Sequence, residues 1–130
     1  MELIKITPDK NRAKSLVELA EIRKGKLNSF DIEKESALLL ESYYEICKEL
    51  ITALLFIDGY KTLSHKDLVD YISRNDEFTE SEIHLIDSLR IKRNELVYYG
   101  IFVQKEYLIR NKEKIENIIM RLFSTVKNRL

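Results

Sequence analysis

Apolar residues return every three to four positions along nearly the whole chain, the spacing of helices that each bury one face. Ala13, Leu16, Val17 and Ala20, extended by Ile22, form the stripe of a first helix. Thr7-Pro8 opens it, with threonine as N-cap and proline at the first helical position, and Gly25 closes it. A second, long helix is capped by Asn28 or Ser29 and runs to about Asp58, carrying Ala37, Leu38, Leu40, Tyr44, Cys47, Ile51, Leu54 and Leu55. Beyond Leu50 it is apolar nearly all round, which puts this half at the centre of the fold. Gly59 is the expected C-cap. Ser64 then caps a short helix with Asp67 in its first turn and Leu68, Val69 and Ile72 on its buried side. Residues 73–78 read as a polar loop. Thr79-Glu80-Ser81-Glu82 fits the capping-box pattern and starts a helix that ends near Gly100. A last amphipathic helix spans about residues 104–127, with Tyr107, Leu108, Ile115, Ile118, Ile119, Leu122, Phe123 and Val126. No strand pattern competes. The expected class is all-α: one domain over residues 1–130, an antiparallel, up-and-down bundle of four main helices plus one short helix.

Composition supports this. Three glycines and one proline leave little turn chemistry for a many-stranded sheet. With 45% hydrophobic and 34% charged residues, the chain has the balance of a folded globular domain rather than a disordered one. Its one cysteine, Cys47, has no partner for an internal disulfide. Its neighbours Tyr43, Tyr44, Ile46 and Leu50 give it the setting of a small buried hydrophobe. No signal segment is visible, and the longest apolar run, residues 50–57, falls short of the ~20 residues a bilayer span needs. A soluble, cytoplasmic protein with no membrane partner is expected.

Formal charge is zero overall but unevenly placed. Residues 1–26 hold seven Lys/Arg and four Asp/Glu, residues 27–89 hold five and fourteen, and residues 90–130 hold ten and four. The basic C-terminal third is the part suited to meeting phosphates.

Much familiar chemistry is missing: there is no Gly-rich phosphate loop, no Cys/His metal spacing and no HExxH, so neither metal nor cofactor is expected. His65 and His84 are isolated in sequence. His65 opens the short helix, where a surface or cap-side role is expected. Asp87 with Arg90, and Glu95 with Arg93, read as surface ion pairs. One position stands out. At ~100° per residue, Leu85, Ile86, Leu89, Leu96 and Val97 share an arc of the fourth helix. Arg93 falls inside that arc, and Arg90 and Asn94 lie on its flank. A cation on an apolar face costs several kcal/mol unless it is paired, wet or working. Arg93 is therefore either a helix-crossing residue bonded to carbonyls or a carboxylate, or part of a site.

The order of the pieces resembles the HEPN family, small all-α domains of prokaryotes and some eukaryotes. The first helix with Ala13-Lys14, the second with Glu41-Ser42-Tyr43-Tyr44, and Leu54-Leu55-Phe56-Ile57-Asp58-Gly59-Tyr60 look like its first half. Ser64-His65-Lys66-Asp67-Leu68 looks like its connector. Leu89-Arg90-Ile91-Lys92-Arg93-Asn94-Glu95-Leu96-Val97-Tyr98-Tyr99-Gly100 looks like its signature helix. The likeness covers nearly the whole chain.

In family members that cleave RNA, the signature is an arginine, usually followed by a polar residue, with a histidine about four to six residues on. Such domains usually dimerise, bringing two signatures into one cleft, and many pair as toxins with a small nucleotidyltransferase. On this chain Arg93 matches the arginine and Asn94 the polar residue, but the histidine position holds Tyr98. Histidine takes a proton near neutral pH. Tyrosine ordinarily ionises only near pH ~10 and is a poor base.

What the resemblance implies is a homodimer that uses Arg90, Arg93, Asn94 and Tyr98 to hold a nucleotide or RNA phosphate, alongside a nucleotidyltransferase-type partner. Arg93, Asn94 and Tyr98 would form the catalytic set, weak or inactive without the histidine. Two alternatives stay open: an active metal-independent endoribonuclease toxin, and a structural dimerisation or interaction domain in which Arg93 only stitches helices together.

Overall fold

A computed structural model describes residues 1–130. In chain order the elements are β1 (Ile4–Lys5), α1 (Lys10–Gly25), a 3-10 turn (Leu27–Ser29), α2 (Ser36–Asp58), β2 (Tyr60–Lys61), α3 (His65–Ile72), α4 (Glu80–Tyr99) and α5 (Lys105–Lys127). The protein is all-α in character, with four long helices and one short one.

The apolar-all-round pattern of α2 has the expected result. Leu39, Leu40, Tyr43, Tyr44, Ile46, Cys47, Leu50, Ile51, Ala53, Leu54 and Leu55 are all buried, and every other helix packs on α2. Side-chain and backbone bonds fix the directions. The Asp9 amide donates to the Phe56 carbonyl at 2.9 Å, joining the start of α1 to the end of α2, so these two run antiparallel. Tyr43 donates to Glu116 at 2.8 Å, and one end further on Arg129 pairs with Asp58, so α2 and α5 point the same way. Glu82 meets Arg121 near the start of α4 while Ser88 bonds Tyr107 at 2.7 Å, so α4 runs against α5. The chain goes up, down, up, down around α2.

Helix ends follow local chemistry. The capping box is present: Thr79 Oγ1 accepts from the Glu82 amide at 3.2 Å, and Glu82 Oε1 accepts from the Thr79 amide at 2.8 Å. Gly59 (φ 84°) and Gly100 (φ 65°) end α2 and α4 in the left-handed conformation.

Three expectations change. First, α1 starts after Asp9 rather than Thr7, because the Asp9 carboxylate accepts from the Arg12 amide at 3.0 Å. Second, α2 begins at Ser36, not after Asn28 or Ser29. Asp31 accepts from the Glu33 amide at 2.8 Å and Glu35 accepts from the Asp31 amide at 2.9 Å. These local bonds give the backbone an alternative to helix. Third, a two-residue antiparallel ladder, β1 on β2, hangs the N-terminus beside the end of α2, with Ile4 facing Lys61. Strands this short leave no sequence period.

Gly59 is also held by space. A Cβ there would sit 3.0 Å from the Ile6 carbonyl oxygen and 3.1 Å from Pro8 Cγ. Gly59→Ala is therefore expected to lower stability by about 1–2 kcal/mol, read from urea midpoints. Gly25, with nothing within 4 Å of its Cβ position, serves as the control and should be neutral or better as alanine.

Candidate functional site

Three helices converge at one place. α2 contributes Tyr44, Glu45 and Lys48, residues that its turn stacks on one side. The middle of α4 contributes Arg90, Arg93 and Asn94. α3 contributes its first residue, His65.

Glu45 is the anchor. It is only 8% exposed, so its charge needs partners. Lys48 pairs with its Oε2, and Arg93 Nη2 reaches its Oε1 at 3.5 Å. Arg93 also donates from Nη1 to Asn94 Oδ1 at 3.3 Å. Its guanidinium lies 5.6 Å from the Tyr44 ring centroid, a cation–π distance. The His65 ring meets the same Tyr44 ring with centroids 5.8 Å apart. Arg90 is held by its own helix, with Nε donating to Asp87 Oδ1 at 2.8 Å.

Two donors in this cluster have no partner although both are buried: Arg93 Nε and the Tyr44 hydroxyl. An unmet buried donor costs about 1–3 kcal/mol unless something else, water or a ligand, satisfies it. Arg93 is thus neither a plain surface residue nor fully consumed by Glu45.

Electrostatics sort the acid–base groups. Burial pushes the Tyr44 hydroxyl well above the usual phenol range, against the opposing pull of Arg93 and Arg90, so it remains a donor. His65 moves the other way: burial, then the charges of Lys48 and Arg93, lower its pKa, Glu45 opposes and Arg90 adds to the lowering. The unfolded chain takes up this proton near pH ~6.5, the folded chain only at lower pH. The stabilising contribution is therefore complete above that value and is lost as pH falls through it towards the folded pKa. Urea midpoints should fall on acidification from pH ~7.5 to ~5, and His65→Gln should show a smaller fall.

The sequence-derived residues divide. Arg93 and Asn94 touch each other, and Arg90 belongs to the same charged neighbourhood. The expected Glu95 partner is replaced by Glu45, brought in from α2. Tyr98 is 67% exposed and makes no side-chain bond, so it does not join the cluster in a single chain. His65, expected in a surface or cap-side role, opens α3 and packs half-buried against Tyr44. Tyr44, Glu45, Lys48 and His65 were not legible as site members. The available signal was a carboxylate within the apolar run of α2, and it does not separate Glu45 from Glu49, which pairs with Arg23 instead.

Other reactive groups lie elsewhere. Cys47 is fully buried and its thiol is pushed up to about 12 by that burial, so it is not a nucleophile. No set of three or more His, Cys, Asp and Glu side chains is placed to hold a metal. No helix is long and apolar enough to cross a membrane. No protein-family model, curated protein or solved structure matches the chain.

Proposed function

We propose that the protein is a HEPN-like phosphate-binding module that holds a nucleotide or an RNA backbone at the α2–α3–α4 junction. One observation carries this reading: Lys48 and Arg93 meet a single buried carboxylate, Glu45, with Arg90 held nearby on α4 by Asp87, while Arg93 Nε and the Tyr44 hydroxyl keep unused donors. Preorganised cations and donors of this kind recognise phosphate by charge-assisted hydrogen bonds. The helix order supports the HEPN-like assignment, and the basic C-terminal third supports an anionic ligand.

The test is an anisotropy titration of a labelled single-stranded RNA, and of a nucleoside triphosphate, at several salt concentrations. Affinity is expected to fall steeply as salt rises. A titration that is flat in salt and unchanged in Arg93→Ala would remove the proposal.

A second copy of the chain belongs to the same reading. Val97, Tyr98, Tyr99, Ile101 and Phe102, at and just after the end of α4, are all exposed, Tyr99 at 77% and Phe102 at 69%. Large exposed apolar side chains gathered at one end of a helix are a common mark of a protein interface. Pairing through them would bring Tyr98 to a neighbour's surface. Sedimentation velocity is expected to give a dimer for the wild type and a monomer for Tyr99→Ser/Phe102→Ser.

A further inference from the structure

α1 and α5 both pack on α2, yet their backbones hardly approach each other. A groove is left along the seam between them. It consists of three adjoining recesses of about 440, 180 and 130 Å³. The first and second share Lys24 and Met120 as walls, and the second and third share Leu27, Asn28 and Glu116, so they form one channel. Its apolar lining comes from Leu27, Phe30 and Ile32, which follow α1, and from Ile119, Met120 and Phe123 of α5. Met120 is 49% exposed there, and the flexible thioether of methionine adapts readily to a partner's shape.

Charge along the groove is unbalanced in one direction. Glu21 is already paired with Lys127 at 2.6 Å, and Glu116 accepts from the Tyr43 hydroxyl at 2.8 Å. Lys24 and Lys112 are exposed and form no ion pair. Lys24 has only the Phe123 ring, 5.4 Å from its ammonium group. The unanswered charges are thus two cations, one in the largest recess and one in the smallest. Spacing says what shape they suit. The recesses meet α5 around residues 112–116, 116–120 and 120–127. Successive recesses are therefore ~6–8 Å apart along α5, a little over one helical turn. An amphipathic helix laid beside α5 presents its apolar anchors at nearly this interval. Every other helix of the chain already packs on α2, so none is left to fill the groove.

We propose that the α1–α5 groove docks an acidic amphipathic helix of a partner protein. Its apolar side chains enter the three recesses, and its carboxylates meet Lys24 and Lys112. None of the groove's lining residues belongs to the cation cluster at the α2–α3–α4 junction, so the two surfaces can be occupied independently.

The experiment pans phage-displayed helical peptides of about 16 residues, long enough to span the three recesses, on the full chain. The variant Lys24→Glu/Lys112→Glu serves for counter-selection, and equal urea midpoints establish that it is folded. Expected is a recovered set with a net negative charge and apolar residues three to four positions apart. A labelled synthetic member should bind the wild type by anisotropy and lose ~10-fold or more in affinity to Lys24→Glu/Lys112→Glu, where two attractions become repulsions. Met120→Ser should weaken it as well, because the helix is held by apolar contact and not by charge alone. Arg93→Ala should bind it as the wild type does, and Lys24→Glu/Lys112→Glu should keep its RNA affinity. Peptides that are basic, that lack helical spacing, or that the variant binds equally well would overturn the proposal, as would a wild type that retains none. Peptide binding lost in Arg93→Ala would place the contact at the other surface. A change of sedimentation in Lys24→Glu/Lys112→Glu alone would make a second copy of the chain the occupant, and a loss of RNA affinity there would make it RNA; either result overturns the partner helix.

Discussion

Arg93→Ala is expected to weaken RNA or nucleotide binding by ~10–100-fold and to loosen the fold by about 1–3 kcal/mol. Both effects have one origin. Arg93 joins α4 to α2 through Glu45, and its unpaired Nε is the donor that the proposed reading assigns to a phosphate. Without it, Glu45 keeps only Lys48, and a carboxylate that is 8% exposed then has too little compensation for its lost water. Arg93→Lys separates the contributions. A lysine keeps the charge but not the planar fork, so stability should recover more than affinity. Glu45→Gln gives the opposite sign in affinity. It frees Arg93 and Lys48 from their internal anion, so affinity should rise several-fold while stability falls, since two partly buried cations lose their counter-charge. Anisotropy at two salt concentrations and urea melts on the same preparations read all of these. Affinity that drops in Glu45→Gln would mean that the carboxylate orients the arginine rather than competing with the ligand.

How much of this was legible in the sequence depends on the range of the forces concerned. Helix existence is local. The three-to-four periodicity, the Thr79 capping box and the left-handed glycines Gly59 and Gly100 each act within about two turns, and each stands where expected. Boundaries depend on competition among equally local bonds. Asn28 or Ser29 was the expected cap, but the Asp31 and Glu35 carboxylates fold onto nearby amides and delay α2 to Ser36. Some apolar positions on the right arc, Val97 and Leu38 among them, are nonetheless exposed, because the arc marks where a face points and not whether a neighbour reaches it. The site is the least local feature. Arg93 was conspicuous as a cation among leucines, yet its partner lies 48 residues away in α2 and its histidine neighbour in α3. Nothing in the spacing of one helix reports which residue of another will face it.

Leu50→Ala is expected to lower stability by about 2–5 kcal/mol, a large share of the roughly 5–15 kcal/mol typical of a domain. Leu50 is fully buried at the point where α2 becomes apolar on every side, so the cavity left behind has packed neighbours around it that relax only in part. Leu63→Ala is the contrast: at 88% exposed the same chemical change should move stability by less than ~0.5 kcal/mol. Leu50 also tests whether fold and site are separable. It is not among the groups that meet Arg93 or His65, although it shares α2 with Tyr44, Glu45 and Lys48. In conditions where Leu50→Ala is still folded, its RNA affinity should match the wild type even as its urea midpoint falls. Affinity that falls in step with stability would show instead that the cation cluster depends on the rigidity of the whole central helix. The arginine would then act through packing that a single truncation can disturb.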